Sequence, residues 1–244
     1  MIRETDIEVT IPFRGGRKTL FCPNHGILWP YVHFEKTLSQ DLPPMRVVDV
    51  GACWGGFSVA VLSRCASTID AIEPSNKAWP YLELNLGGYR GVTLHRVAAS
   101  DTAGERVMSA PVSDAGQLLG RDGFYGDGTD AETVRTVRLD DIIDGRVDLM
   151  KIDVEGHELE VLIGAEILLR AHRPKLIIEL KDDRQHAAGR RPEDVMAWLD
   201  ITSAGATGLI EDVVVLPGAV VSTEDQVYYV VKRTINGSTV RYLE

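Results

Sequence analysis

Apolar positions along this chain follow two periods. From Arg46 onward, short runs rich in Val, Ile and Leu recur at 46–50, 68–72, 92–97, 147–152 and 174–180. Between them lie longer segments whose apolar residues repeat every three or four positions. Trp79, Leu82 and Leu86 predict a helix over 76–86, stopped by Gly87-Gly88. Leu159, Leu162, Ile163 and Ile167 predict another over 158–170, and Pro192 followed by Val195, Trp198 and Leu199 opens a third. Strands alternating with helices predict a parallel sheet covered on both faces. Near the end the alternation fails: runs 207–216 and 226–232 have only a short loop between them and read as an antiparallel pair closing one edge. Lesser strands are expected at 7–13, 105–110 and 133–139, and a mobile loop at 120–130.

The chain has 244 residues, 44% of them hydrophobic, enough for a sizeable core. About 40 residues is too little for a core of its own, so residues 1–42 read as an extension or cap and 43–244 as the main domain. The aromatic stretch with His25, Trp29, Tyr31 and His33 either shapes a pocket or packs on the sheet edge. A formal charge of −10 repels phosphate polymers and anionic membranes. Nucleic acid and membrane are therefore not expected partners. No apolar run approaches the roughly 18 residues of a membrane helix, and charges interrupt the first ten residues, unlike a signal peptide. A cytoplasmic location is expected. Three cysteines, Cys22, Cys53 and Cys65, without a C-x-x-C pair argue against a disulfide framework or a zinc knuckle.

The sharpest motif is the run 47–57, Val-Val-Asp-Val-Gly-Ala-Cys-Trp-Gly-Gly-Phe. It reads as a buried strand ending near Asp49, a glycine turn and a helix start. Open α/β sheets bind ligands where strands end in such turns, and Gly51 with Gly55 or Gly56 would let a ligand approach the backbone. The pattern is D-x-G-x-x-x-G, not the G-x-G-x-x-G that cradles a pyrophosphate. An acid beside the turn suits a zwitterionic amino-acid tail carrying a sulfonium. Glu73, at the end of the next strand, can accept both hydroxyls of a ribose, and the small residues of 97–101 suit an adenine edge. A third motif, Lys151-Ile-Asp-Val-Glu-Gly-His-Glu158, brings Asp153, Glu155, His157 and Glu158 to one strand end.

These motifs, in this order and spacing, resemble the FkbM family of S-adenosylmethionine-dependent methyltransferases, from about Arg46 to Leu180. The resemblance implies an α/β, doubly wound, seven-stranded sheet of the Rossmann-like class I methyltransferase kind, with an antiparallel C-terminal strand pair. It implies S-adenosylmethionine as cofactor and methyl transfer, usually to a hydroxyl of a sugar or polyketide-type natural product. By matching position, Asp49, Gly51 and Ala52 would hold the amino-acid part of the cofactor, with Gly55 and Phe57 in the same turn. Glu73 and Pro74 would serve the ribose, Asn76, Val97, Ala98 and Ala99 the adenine side, and Asp153 would sit beside the methyl group. The bulky pair Cys53-Trp54 departs from an all-small turn.

An alcohol must lose its proton as it accepts a methyl group, so a base is needed. The candidates are His157 first, then Glu155 and Asp153; the bland alternative for His157 is a solvent-facing helix start. Glu158 is better suited to the helix dipole than to catalysis. Asp153 and Glu179 end neighbouring strands and would be the ligands of a Mg²⁺ ion, which is not the leading expectation. The charged stretch 184–194 reads as a solvated loop, or else as a substrate lid. The expected partner is a small-molecule acceptor, and a homodimer is open. An N-methyltransferase, a nicotinamide-dependent oxidoreductase and a non-enzymatic nucleoside-binding module are the competing readings.

Overall fold

The computed structural model describes residues 7–13, 16–22, 43–65, 67–110, 130–180, 182–204, 212–217, 233–235 and 238–242. The chain falls into two compact units, residues 1–97 and 98–244. The stretch with His25, Trp29, Tyr31 and His33, most of the 120–130 loop and the run 226–232 lie outside the described residues.

In the first unit, β1 (Ile7–Phe13) and β2 (Gly16–Cys22) form an antiparallel hairpin. Three parallel strands follow, β3 (Arg46–Val50), β4 (Thr68–Ile72) and β5 (Val92–His95), with β4 in the middle. Val47, Val48, Val50, Ile69, Ala71 and Ile72 are all buried. Strands covered on both faces need continuous rather than alternating apolar residues. Helix Gly56–Arg64 connects β3 to β4 and buries Phe57, Val59, Ala60, Val61 and Leu62.

The next helix, Trp79–Leu86, starts three residues later than its spacing predicts. Before it lies a turn in which the Ser75 hydroxyl accepts the N–H groups of Lys77 (3.2 Å) and Ala78 (3.3 Å), the kind of side-chain capping that ends regular structure locally. It stops at Gly87 as expected, where the Gly87 N–H still donates to the Glu83 carbonyl at 2.8 Å and the backbone is right-handed at φ −62°. Asn85 joins this helix to the hairpin. Fully buried, it accepts the Phe21 N–H (2.8 Å) and donates to the carbonyls of Phe21 (2.9 Å) and Trp54 (2.8 Å).

The second unit holds a small sheet of β6 (Ala98–Ala99), β7 (Gly104–Ala110) and β8 (Asp130–Val137), where β8 runs parallel to β6 and antiparallel to β7. A larger sheet contains β9 (Leu149–Ile152), β10 (Lys175–Leu180), β11 (Asp212–Pro217), β12 (Arg233–Ile235) and β13 (Ser238–Tyr242). β9, β10, β11 and β13 are mutually parallel along the row, and only β12 is antiparallel, on β13. Two expectations need correction here. β11, the described end of run 207–216, is parallel to both neighbours. The apolar run Val213–Leu216 is the pattern of an interior parallel strand, whereas Asn236-Gly237 between β12 and β13 is a strong hairpin signal. In place of seven strands, the first unit has three parallel strands and the second unit's larger sheet has five.

The single helix expected over 158–170 is two, Glu158–Gly164 and Glu166–His172. Gly164 passes so close to the loop after β6 that a Cβ would lie 1.9 Å from the Ser100 carbonyl oxygen. The second piece is capped from a distance, since the Asp140 carboxylate accepts the N–H groups of Ile167 (3.3 Å) and Leu168 (2.9 Å). The break rotates the apolar stripe: Leu168 and Leu169 are buried, and Ile167, expected inside, is 68% exposed. Residues 184–194 are not a plain loop either, because helices Asp182–Ala187 and Pro192–Ala204 occupy both ends of that stretch. Among the described residues, no helix is long and apolar enough to cross a membrane.

Replacing Gly164 by Ala is expected to destabilise the protein by about 3 kcal/mol or more, because backbone rather than a movable side chain blocks the methyl group. In an unobstructed helix the same change would stabilise, so the sign of the shift in a urea titration checks the assignment.

Candidate active site

Each unit presents a turn at the end of a parallel strand. In the first, β3 runs into residues 51–55, and Gly51, Cys53 and Gly55 all have left-handed backbones, with φ of 75°, 50° and 88°. The N–H groups of Gly51 and Ala52 both reach the Ile72 carbonyl at 3.0 Å. A non-glycine residue in this region costs about 1 kcal/mol, so Cys53 needs support. Glu73 supplies it: one carboxylate oxygen accepts the Cys53 N–H at 2.8 Å, and the other accepts the Ser75 N–H at 2.8 Å. Trp54 fits because its ring turns inward onto Tyr81, with centroids 6.4 Å apart, and its carbonyl accepts from Asn85.

The expected cofactor residues divide into two groups. Gly51, Glu73 and Pro74 stand at the strand ends, and Ala52, nearly buried, forms part of the turn. Asp49 and Phe57 lie deeper than expected. Asp49 is fully buried and accepts the Ser58 hydroxyl at 2.6 Å, which ties β3 to the helix start, and Phe57 is 2% exposed in the core. Their alternation on strand and helix points them inward. Asn76 is exposed and accepts from Arg96, whose guanidinium also lies over the Trp79 ring at 5.4 Å. Val97 is half-buried, whereas Ala98 and Ala99 are buried in β6, with Ala98 packed in a cluster with Met108 and Val134. The pairing of β6 with β8 draws these small side chains into the second unit's own core.

In the second unit, β9 runs into residues 153–157. Asp153, Glu155 and Glu179 each offer an oxygen, all within 4.8 Å of one another. Glu155 completes a set of which the sequence suggested only Asp153 and Glu179 as a pair. Lys151, 5% exposed, brings its ammonium 3.6 Å from Asp153. Its place two residues before Asp153, on the same face of the strand, was the available signal for this neutralising partner. Three close carboxylates with oxygen donors fit a hard divalent cation.

His157 is not solvent-facing, being 1% exposed. Its Nε2 lies 3.0 Å from the Ser100 hydroxyl and its Nδ1 3.4 Å from Glu160. Burial, opposed by Glu160 and reinforced by Arg106 and Arg190, lowers its pKa to about 4. Glu158 is buried too, and it clamps the turn: one oxygen accepts the N–H groups of Val154 (3.2 Å) and Gly156 (3.1 Å), the other the amide of Gln185. Burial raises its pKa to about 7 against the opposing pull of those N–H groups.

Each unit is thus of the α/β kind, with a turn bearing glycine and acid at the end of a parallel strand, the place where open α/β sheets hold ligands. The comparisons are more specific. The sequence profile of the Methyltransferase FkbM domain matches residues 49–206, and the chain belongs to this methyltransferase family. The AMB antimetabolite synthetase AmbE of Pseudomonas aeruginosa is 31% identical over 234 residues, covering 78% of this chain and 11% of that protein. The chain thus corresponds to about a tenth of that relative's length. A crystal structure of methyltransferase FkbM from Methylobacillus flagellatus KT shares the fold, with a TM-score of 0.50 at 20% identity, over 73% of this chain and 42% of that one.

The two buried groups give opposite pH dependences. A raised Glu158 pKa contributes stability that is full below the unfolded value of 4.5 and is lost as pH rises through about 7. A lowered His157 pKa means the unfolded chain takes up a proton first, so stability falls as pH drops from 6.5 toward 4. Glu158→Gln is expected to remove the first trend alone, changing the stability difference from wild type by roughly 3 kcal/mol between pH 4 and pH 8. Denaturant midpoints across that range check it.

Proposed function

We propose that this chain is an S-adenosylmethionine-dependent methyltransferase that methylates a hydroxyl group of a small molecule. The FkbM domain match over residues 49–206 carries the reading. The donor set fits an adenosyl ligand: Glu73 sits at a strand tip beside a left-handed glycine turn, and each carboxylate oxygen has two lone pairs, so accepting an amide does not by itself preclude accepting a ribose hydroxyl. Gly51, with no side chain at the start of the turn, suits the close approach of the amino-acid end. When bound, the cofactor supplies an electrophilic methyl group on sulfur.

The chain's own task is then to align an acceptor and take its proton. Asp153 and Glu155, at the partly open strand end, are the bases in this reading. His157 is a supporting residue, since both ring nitrogens have protein partners and its basicity is depressed. The Lys151 ammonium faces the Asp153 carboxylate at 3.6 Å. The relative named an antimetabolite synthetase favours an acceptor from small-molecule biosynthesis, and the charge of −10 favours one that is not a nucleic acid. Transfer to an amine instead would ask less of Asp153 and Glu155. A cytoplasmic site of action belongs to the same proposal.

Titration calorimetry is expected to show binding of S-adenosylhomocysteine and none of NAD. Glu73→Ala should weaken that binding by about 1–3 kcal/mol, through the lost ribose contacts and the released turn. Binding of NAD in place of the adenosyl compound would refute the proposal. A second reading, favoured by the carboxylate set Asp153, Glu155 and Glu179, adds a divalent cation such as Mg²⁺ that orients the acceptor oxygen. Methyl transfer from labelled S-adenosylmethionine to a panel of hydroxylated metabolites should then be abolished by EDTA and restored by Mg²⁺; activity indifferent to EDTA dismisses the ion.

A further inference from the structure

The turn after β9 holds an unfavourable conformation at the residue that matters most. Glu155 has φ of 55° and Gly156 φ of 104°, two consecutive left-handed residues. Glycine adopts this freely, whereas glutamate does not. Left to itself, Glu155 would relax toward an ordinary backbone, and its carboxylate would leave Asp153 and Glu179.

Two amides flank Glu155, those of Val154 and Gly156, and both donate to the same oxygen of Glu158. The opposite oxygen receives the side-chain amide of Gln185. Glu158 and Gln185 are both buried, at 1% and 0% exposure. Gln185 belongs to helix Asp182–Ala187, which follows β10 and hence Glu179. The same segment is fastened a second time, where Arg190 donates to both oxygens of Glu160, one turn nearer the helix end than His157. The turn bearing Asp153 and Glu155 is therefore locked to the segment that follows Glu179 by a pair of buried side chains.

We propose that Glu158 and Gln185 are positioning residues for methyl transfer, fixing the left-handed turn at Glu155 so that the Asp153, Glu155 and Glu179 carboxylates stay together, and that segment 182–191 is a fixed wall of the acceptor side rather than a lid. This rests on the methyltransferase reading for its functional meaning, but the clamp itself can be tested without turnover. The side-chain amide of Gln185 is suited to the task because it can present either its NH₂ or its oxygen. Its Oε1 has no hydrogen-bond partner among the described residues, so a half-turn of the amide would also serve a neutral group at position 158.

The test is hydrogen exchange at the amides of residues 154 and 156 in the full chain, compared with helix Pro192–Ala204 as an internal reference. Glu158→Ala and Gln185→Ala are expected to speed exchange of the turn by about tenfold or more, leaving the reference helix within about twofold. Glu158→Gln should restore wild-type protection, because its carbonyl still accepts both amides. If Glu158→Ala does not fold, Gln185→Ala is read against Gln185→Glu, which sets two carboxyl groups against each other and should be as unprotected. Turn exchange equal to wild type in the alanine variants, or no restoration by Glu158→Gln, overturns the proposal. Equal acceleration of the turn and the reference helix does so too, since it marks a general loss of stability. With an acceptor from the metabolite panel, kcat should fall about tenfold in Gln185→Ala while S-adenosylhomocysteine affinity stays within about threefold. A wild-type protein that fails to bind S-adenosylhomocysteine counts against the methyltransferase reading and leaves the exchange result standing.

Discussion

Both rims of this protein depend on one arrangement: a buried glutamate that accepts the backbone amides around a left-handed, non-glycine residue. Glu73 accepts the N–H of Cys53 itself, and Glu158 accepts the N–H groups of Val154 and Gly156 on either side of Glu155. In each case the hydrogen bonds from backbone N–H to the carboxyl oxygen offset a conformation that the residue disfavours. The result is a turn whose shape is set from the side by tertiary contact instead of from within by glycine. That leaves positions 53 and 155 able to carry side chains where an all-glycine turn would have none.

The buried and half-buried polar groups around the second rim make a connected set. Ser100, His157, Glu160 and Arg190 follow one another by hydrogen bond or ion contact, and Glu158 and Gln185 run beside them. Burial alone would be costly for each member, yet each has a partner. The histidine in the middle of the most informative motif lies inside this set. Its neutral ring at physiological pH bonds to a hydroxyl on one side and faces a carboxylate on the other. The carboxylates of Asp153 and Glu155 are the acids left at the partly open edge.

Much of this could be read from the chain. Continuous Val and Ile runs identified β3, β4 and β10, and the Asp-Val-Gly and Lys-Ile-Asp-Val-Glu-Gly motifs marked both rims. Helix ends at Gly87 and Pro192 also followed from residue type. The failures share a cause. Ile167 has a helical spacing that fits the core, but Gly164 must pass against the Ser100 carbonyl, and Asp140 caps the helix that restarts at Glu166. No periodicity contains that contact, because it joins residues 64 positions apart in the chain.

By itself the sequence determined the α/β alternation, the family and the identity of the acids at each strand tip, since these depend on residue type and local spacing. Only the tertiary structure decided which acids stand at the partly open strand ends and which hold the backbone. Asp49 and Glu158 turned inward as supports, Glu155 joined Asp153 and Glu179, and Asn85 fastened the N-terminal hairpin to the glycine turn. The physical reason is that a carboxylate's role is set by whichever donors surround it after folding, and those donors come from distant parts of the chain.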